Sequence, residues 1–438
     1  MMELTNAKNL IKFIEDSPSC FHVIKNIRER LLNEGMVELK EHEAWNIVPG
    51  GSYFVTRNMS SVIAFKVPKG DFIGFNIVAS HSDSPTFKIK ENEEIEVNNE
   101  YVKLNTEKYG GMILSTWLDR PLSVAGRIVV REGNKFITKL VNVDRDLLVI
   151  PNLCIHMDRT ANSGKAFNPQ VDMLPLFGDG TSKGKFMEII AESAGVKKED
   201  IISTDLFLYN RQCGTIIGAN NEYILSPKLD DLQCAFTSVE GFIKSEAKKS
   251  IAVISIFDNE EVGSGTKQGA ASTFLFDTLT RINSALGKNN ADYLRALASS
   301  FMISADNAHA VHPNQTSFAD PTNRPYMNKG IVIKYNANQH YTSDAISASI
   351  FKGILDDLNI PHQSFTNRSD LGGGSTLGNI SNTQVALNTV DIGLPQLAMH
   401  STTETAGVKD TTYFIDVCEK FFGLGIRKID NDQYVIEE

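Results

Sequence analysis

Four apolar runs of strand length constrain this chain most: "IAVISIF" (251–257), "SFMISAD" (300–306), "GIVIKYN" (330–336) and "LPQLAMHS" (394–401). They are apolar along most of their length instead of alternating, and helical segments separate several of them. Strands of that kind are covered on both faces, as in a parallel sheet wrapped by helices. The N-terminal part fits the same layer scheme. Leu10, Ile11, Phe13 and Ile14 share one helical face. "SPSCFHVIKNIRERLLNEG" restarts the pattern, with Ser17 expected as N-cap, Pro18 in the first turn and Gly35 as the stop. Short strands are expected at "SYFVTR", "SVIAFKV" and "FIGFNIVAS". From about residue 91 to 225 the apolar runs shorten and polar turns interrupt them; "AGRIVVREGNKFITKLVNV" reads as a hairpin turning at Glu132–Asn134. The expected fold is therefore α/β, with a mixed, largely parallel sheet flanked by helices. Residues 1–90 and 226–438 would form one discontinuous domain, and 91–225 a β-rich insertion.

Length and charge narrow the function classes. A chain of 438 residues with 42% hydrophobic residues has material for a large core, in two domains or one with an insertion. A net charge of −10 argues against a general nucleic-acid binder. The five cysteines are scattered and form no CxxC pair, which speaks against a disulfide framework or a thiolate zinc site. The first residues, "MMELTNAKNLIKFIED", do not read as a signal peptide, and no apolar run is long enough for a membrane span. The expectation is a soluble, cytoplasmic protein.

The chemistry-bearing residues cluster after the apolar runs. "VASHSDSP" offers His81 and Asp83, spaced so that Asp83 can hydrogen-bond His81 and fix its tautomer; a solvated turn is the plainer alternative. "SPKLDDLQCAF" places Asp230 and Asp231 before a helical stretch, where an Asp is often a simple cap. A carboxylate there can also bridge two metal ions. "FDNEEVGS" puts Glu260 and Glu261 after a buried strand. Adjacent residues diverge, so one ligand and one general base is the economical division. "MISADNAHAVHP" ends a run at Asp306, and "QLAMHSTTE" ends one at His400 and Glu404. Ligands of open α/β sheets gather outside the carboxyl ends of strands. His81, Glu260, Glu261, Asp306 and His400 would all follow strands of one sheet. Two imidazoles with several carboxylates suit zinc, or cobalt or manganese, better than calcium. An acidic rim that binds nothing is the shared alternative. No G-x-S-x-G elbow is present, and "DLGGGSTLG" lacks the P-loop lysine spacing.

"ASHSDSP", "SPKLDDL", "FDNEEVGS", "SADNAHAVHPN", "IKYNANQHY" and "MHS", in this order, resemble the aspartyl aminopeptidase group of metallopeptidases, peptidase family M18. The resemblance spans nearly the whole chain. It implies two divalent ions, most simply zinc, with His81 and Asp306 on one, Glu261 and His400 on the other, and Asp230 bridging. It implies Glu260 as general base and Asp83 as the group orienting His81. It further implies that Lys334 meets an acidic first side chain of the substrate, that Tyr341 contacts the substrate, and that His156 reaches a neighbouring subunit's site. The inserted block would be a dimerisation domain, and the assembly a twelve-subunit shell built from dimers. One departure stands out: the family pattern after the last ligand is His-Ser-Ile-Arg-Glu, whereas Thr402 and Thr403 occupy the third and fourth places here. The ligand is intact, but the charge beside it differs, which bears on strict preference for Asp or Glu.

The activity implied is metal-assisted hydrolysis of an N-terminal peptide bond, with peptides as substrates and no nucleic-acid or membrane partner. A related dimetal deacylase or carboxypeptidase is the enzymatic alternative. A catalytically silent, shell-forming scaffold is the other.

Overall fold

A computed structural model describes residues 2–438. Its centre is a nine-stranded mixed sheet. From one edge to the other the strands are Val37–Leu39, Ser52–Arg57, Ser61–Lys66, Ile251–Phe257, Phe75–His81, Phe301–Ala305, Asn388–Gly393, Ile331–Lys334 and His362–Phe365. Five of its eight pairings are parallel, including the three that join the four central strands. The continuous apolar runs have their expected cause, because both faces are covered. Val78, Ile254, Ile303 and Val390 pack against Leu10 and Ile14 of helix Met2–Glu15, Leu232 and Val239 of helix Leu229–Lys244, and Phe414 and Phe421 of helix Val408–Gly423. Ile77, Ala79, Val253 and Met302 face the other way, onto Phe274 and Leu279 of helix Phe274–Ala285 and Tyr293 of helix Asn290–Ala298. Side-chain alternation along each strand divides the core in two.

A second sheet of six antiparallel strands spans residues 86–210 and keeps its own core, in which Phe87, Leu104, Val124, Ile128 and Leu206 meet Phe186 and Ile190 of helix Phe186–Ala194. Its hairpin Leu122–Glu132/Lys135–Asn142 turns on two residues, Gly133 and Asn134, with Gly133 at φ +61°. A positive φ at the first central residue only, carried by a glycine, is the requirement of a type II′ hairpin turn.

Two local expectations are corrected. The N-cap of helix Cys20–Asn33 is Ser19, not Ser17, so Pro18 precedes the helix instead of sitting in its first turn. The Ser19 hydroxyl pairs with His22 Nδ1 at 2.8 Å, and Ser17 takes the Asn26 amide at 3.0 Å. Gly35 ends this segment at φ +78°, as the sequence predicts.

The second correction concerns "LPQLAMHS". Its strand, Pro395–Leu397, belongs to a separate five-stranded sheet, and the main sheet takes the preceding Asn388–Gly393. Polar Asn388, Thr389 and Asp391 hide that strand from an apolar-run search. The chain leaves the main sheet at Gly393, where a Cβ would lie 2.3 Å from the Asp306 carbonyl oxygen. His400 therefore does not follow a strand of the main sheet.

Candidate metal centre

The carboxyl ends of the central strands converge on one site. His81 closes its strand, Asp306 follows Phe301–Ala305 directly, and Glu260 and Glu261 form a short 3-10 turn after Ile251–Phe257. Asp230 and Asp231 begin Leu229–Lys244 with non-helical backbone angles. Their carboxylates point away from the helix's own N–H groups: Asp231 Oδ2 accepts the His81 N–H at 3.1 Å. His400 arrives from the five-stranded sheet through a bend, at φ +66°.

Asp230 is the hub. Its Oδ1 lies 3.5 Å from His81 Nε2, and its Oδ2 lies 3.3 Å from His400 Nε2. His400 Nε2 is also 3.3 Å from Glu261 Oε2. Three overlapping groups have ligand atoms within 4.8 Å of one another: His81, Asp230, Asp231 and Asp306; His81, Glu260 and Glu261; and Asp230, Glu261 and His400. Asp230 Oδ1, Asp231 Oδ1 and Glu261 Oε1 are buried without a hydrogen-bond partner. Buried unpaired carboxylate oxygens cost several kcal/mol each unless a cation meets them, by the order-of-magnitude cost of burying charge. The donor set is nitrogen and carboxylate oxygen without sulfur, which fits zinc.

The electrostatics agree. Burial, with neighbouring acids, pushes the Glu260 carboxyl up to about 8 and raises those of Glu261 and Asp306. Asp230 is the exception: burial opposes its charge, but the imidazoles of His400 and His81 beside its two oxygens outweigh it and hold its pKa down. Burial likewise opposes charge on His400, and Asp230 overrides it, raising the imidazole to about 9.

A surrounding set of contacts fixes the ligands. His400 Nδ1 donates to the Gly111 carbonyl at 2.6 Å, which leaves Nε2 free to face Asp230 and Glu261. Glu404 accepts the Asp230 N–H at 3.0 Å and the His400 N–H at 2.8 Å. Asp83 lies near His81 in two ways. His81 Nδ1 is 3.1 Å from the Asp83 carbonyl and 3.3 Å from its Oδ1. The same carboxylate accepts the N–H groups of Glu260 and Glu261, each at 3.2 Å, and the Tyr109 hydroxyl at 2.6 Å.

The structure thus brings together His81, Asp83, Asp230, Glu260, Glu261, Asp306 and His400. Lys334 ends its strand buried, 3.6 Å from Asp306 Oδ1 and 5.5 Å over the buried Tyr341 ring. Burial works against the lysine's charge, and Asp306, Tyr341 and Asp391 outweigh it, so its pKa is raised. His156 is apart from this cluster, on an exposed stretch with Leu153, Ile155 and Met157. Thr402 and Thr403 turn toward the six-stranded sheet: Thr402 donates to the Thr116 carbonyl at 2.7 Å, and the Asn210 amide reaches the Thr402 carbonyl at 3.1 Å.

Sequence reasoning missed several contributors. Asp231 was legible only as Asp230's neighbour. Tyr109 and Gly111 come from the six-stranded sheet and its end, with no local pattern that points to the centre. The positioning role of Glu404 depends on a fold-back that spacing does not reveal.

Comparison with known proteins identifies the family. The model of the family described as "Aminopeptidase I zinc metalloprotease (M18)" matches residues 13–422. The chain is 49% identical over 431 residues to a probable M18 family aminopeptidase 2 of Clostridium acetobutylicum, covering 96% of this chain and 99% of that one. It is 36% identical over 470 residues to an aspartyl aminopeptidase of Dictyostelium discoideum, covering 96% of each. Among solved structures, Ape4 in its cryo-EM complex with Nbr1 superposes with a TM-score of 0.93 at 36% identity, covering 96% of this chain and 86% of that one. The S. cerevesiae mApe1 dodecamer superposes with a TM-score of 0.84 at 26% identity, covering 95% and 96%. The chain belongs to the M18 family of zinc-metalloprotease aminopeptidases.

Proposed function

We propose that this aminopeptidase removes an acidic N-terminal residue from peptides at a centre of two divalent ions, zinc by preference. One observation carries the two-ion reading: the two oxygens of Asp230 face different histidines, His81 and His400. That is the arrangement a bridging carboxylate needs. His81 and Asp306 would hold one ion, and Glu261 and His400 the other.

Two cations bound there would supply Lewis acidity for the scissile carbonyl and lower the pKa of the attacking water. Glu260 takes the proton from that water and delivers it to the leaving amine. Asp83 positions Glu260 by accepting its N–H, while the neighbouring Glu261 N–H reaches the same carboxylate. One carboxylate thus anchors the backbones of both adjacent glutamates, and each side chain brings a carboxylate oxygen to the same centre. Lys334, buried and charged, pairs with an acidic side chain of the substrate; such pairing strengthens away from bulk water. Tyr341 lines the same place.

The assembly reading rests on separate support. The six-stranded sheet has its own core. It would form the inserted dimerisation domain at about 91–225, although its strand Thr86–Val97 begins before that boundary. Met157 is 76% exposed, and Leu153 and Ile155 stand out beside it. Such an apolar stretch suits a subunit contact that delivers His156 to a neighbouring site in a twelve-subunit shell.

Hydrolysis of a panel of aminoacyl, N-acyl and C-terminal substrates, with zinc, cobalt or manganese added, tests this reading. Metal-dependent release of N-terminal Asp or Glu is expected. Cleavage restricted to blocked N-termini, or none with any metal, would overturn it.

A further inference from the structure

Asp391 has no task in the mechanism above, yet it is 0% exposed. Lys334, the buried cation of this region, pairs with Asp306 instead of Asp391. Asp391 lies in strand Asn388–Gly393, opposite Ser304, between the strand that leads into Asp306 and the strand that ends at Lys334. Its Oδ2 accepts both the backbone N–H and the hydroxyl of Thr342, the latter at 2.6 Å. Its Oδ1 accepts the Thr376 hydroxyl at 2.6 Å. The Ser343 hydroxyl accepts the Asp391 N–H at 2.9 Å and donates to its carbonyl at 3.2 Å.

The approach on the Thr376 side is close. A Cβ on Gly378 would lie 2.9 Å from each Asp391 carboxylate oxygen. The glycine-rich run 372–378 can therefore close onto this carboxylate only because position 378 lacks a side chain. One buried anion consequently ties together two loops distant in sequence: Tyr341–Ser343 and the glycine-rich turn. Tyr341 precedes Thr342 directly, and its ring carries the Lys334 ammonium 5.5 Å from its centroid.

A carboxylate is an expensive choice for this clamp. Burying a charge among neutral donors costs more than burying an amide. An Asn here would direct its NH2 at one of the two donor sets. The charge itself gives stronger hydrogen bonds to Thr342 and Thr376, and a second anion besides Asp306 near a lysine that must remain cationic without solvent.

We infer that Asp391 is a positioning residue for selection of the substrate's first side chain, holding the Tyr341 loop and the glycine-rich turn around Lys334. It touches neither the reacting atoms nor the metal ligands. The inference rests on the aminopeptidase reading and deepens it.

The test uses full-length protein reconstituted with zinc, as wild type, Asp391→Asn and Thr376→Val. Zinc content, thermal midpoint, kcat and KM are measured on aspartyl- and leucyl-anilide substrates. In Asp391→Asn, zinc content stays at the wild-type level, KM for the aspartyl substrate rises about tenfold and kcat changes less than about threefold, the pattern of lost binding rather than lost chemistry. The aspartyl-to-leucyl ratio of kcat/KM falls about tenfold, and in Thr376→Val about threefold, in line with one lost hydrogen bond. Thr376→Val keeps the carboxylate and decides the matter if Asp391→Asn does not fold. Unchanged KM and unchanged ratio in the folded variants overturn the inference, as does equal loss on both substrates accompanied by loss of zinc. An active wild type that prefers the leucyl substrate also overturns it. A wild type that hydrolyses neither substrate overturns the aminopeptidase reading as well.

Discussion

Glu404→Ala gives a magnitude that follows from the geometry of the centre. Glu404 is 2% exposed and accepts two backbone N–H groups, one from the proposed bridging ligand Asp230 and one from His400. Alanine leaves both donors buried without a partner. Each such loss costs about 1–3 kcal/mol, so the metal-free protein should lose about 2–6 kcal/mol. Cavity formation from the deleted side chain adds to this. The same change frees the backbones of two ligands, and losing a group that orients ligands typically weakens metal affinity about 10–100-fold. Urea unfolding of metal-free protein measures the first effect, and zinc titration against a competing chelator the second. Glu404→Gln should fall between, since its amide keeps one acceptor. Metal-free stability within about 0.5 kcal/mol of wild type, the range of an ordinary surface substitution, together with unchanged zinc affinity, would refute the reasoning.

Other outcomes follow from the same contacts. Glu260→Gln should retain metal and lose about 10²–10⁴-fold in kcat, the usual contribution of a general base; metal analysis beside steady-state kinetics checks it, and full activity would rule the base assignment out. Gly393→Ala should destabilise by about 1–3 kcal/mol through overpacking, because its Cβ would strike the Asp306 carbonyl, and zinc affinity should drop with it. Asp410, buried at the start of helix Val408–Gly423, accepts the N–H groups of Asn328 and Gly330, and burial pushes its carboxyl up to about 7. The folded state then holds a proton that the unfolded chain has released above its ordinary value of 3.8. Asp410's contribution to stability therefore falls as pH rises from about 4 to 7, by at most ~1.4 kcal/mol per pH unit. Urea unfolding at several pH values should show wild type losing ground to Asp410→Asn across that window; a constant difference between the two contradicts the shift.

Much of the fold was legible because two-sided burial writes itself as uninterrupted apolar sequence. "IAVISIF" and "SFMISAD" announced central strands, and the acids after them marked the sheet end where the ligands gather. Asn388–Gly393 escaped because its Asn, Thr and Asp look like loop, although Asp391 is polar for a reason that tertiary contacts alone disclose. His400 was found for a partly wrong reason. Its motif is local, but the bend that brings it to Asp230 depends on Gly393, Pro395 and a second sheet. Tyr109 and Gly111 were illegible as contributors, since each reaches the centre through long-range pairing; Glu404 was visible beside His400, but its bond to the Asp230 N–H was not. His156 stands away from the cluster in a single chain, so its proposed role belongs to the assembly.

The central claim is that Asp230 joins two metal sites. Metal stoichiometry tests it most directly: elemental analysis of wild type and Asp230→Ala after equilibration with zinc and removal of loosely bound ion. The account predicts two zinc ions per wild-type chain and loss of tight binding at both sites in the variant. One ion per wild-type chain, or a variant that still holds two, would contradict it.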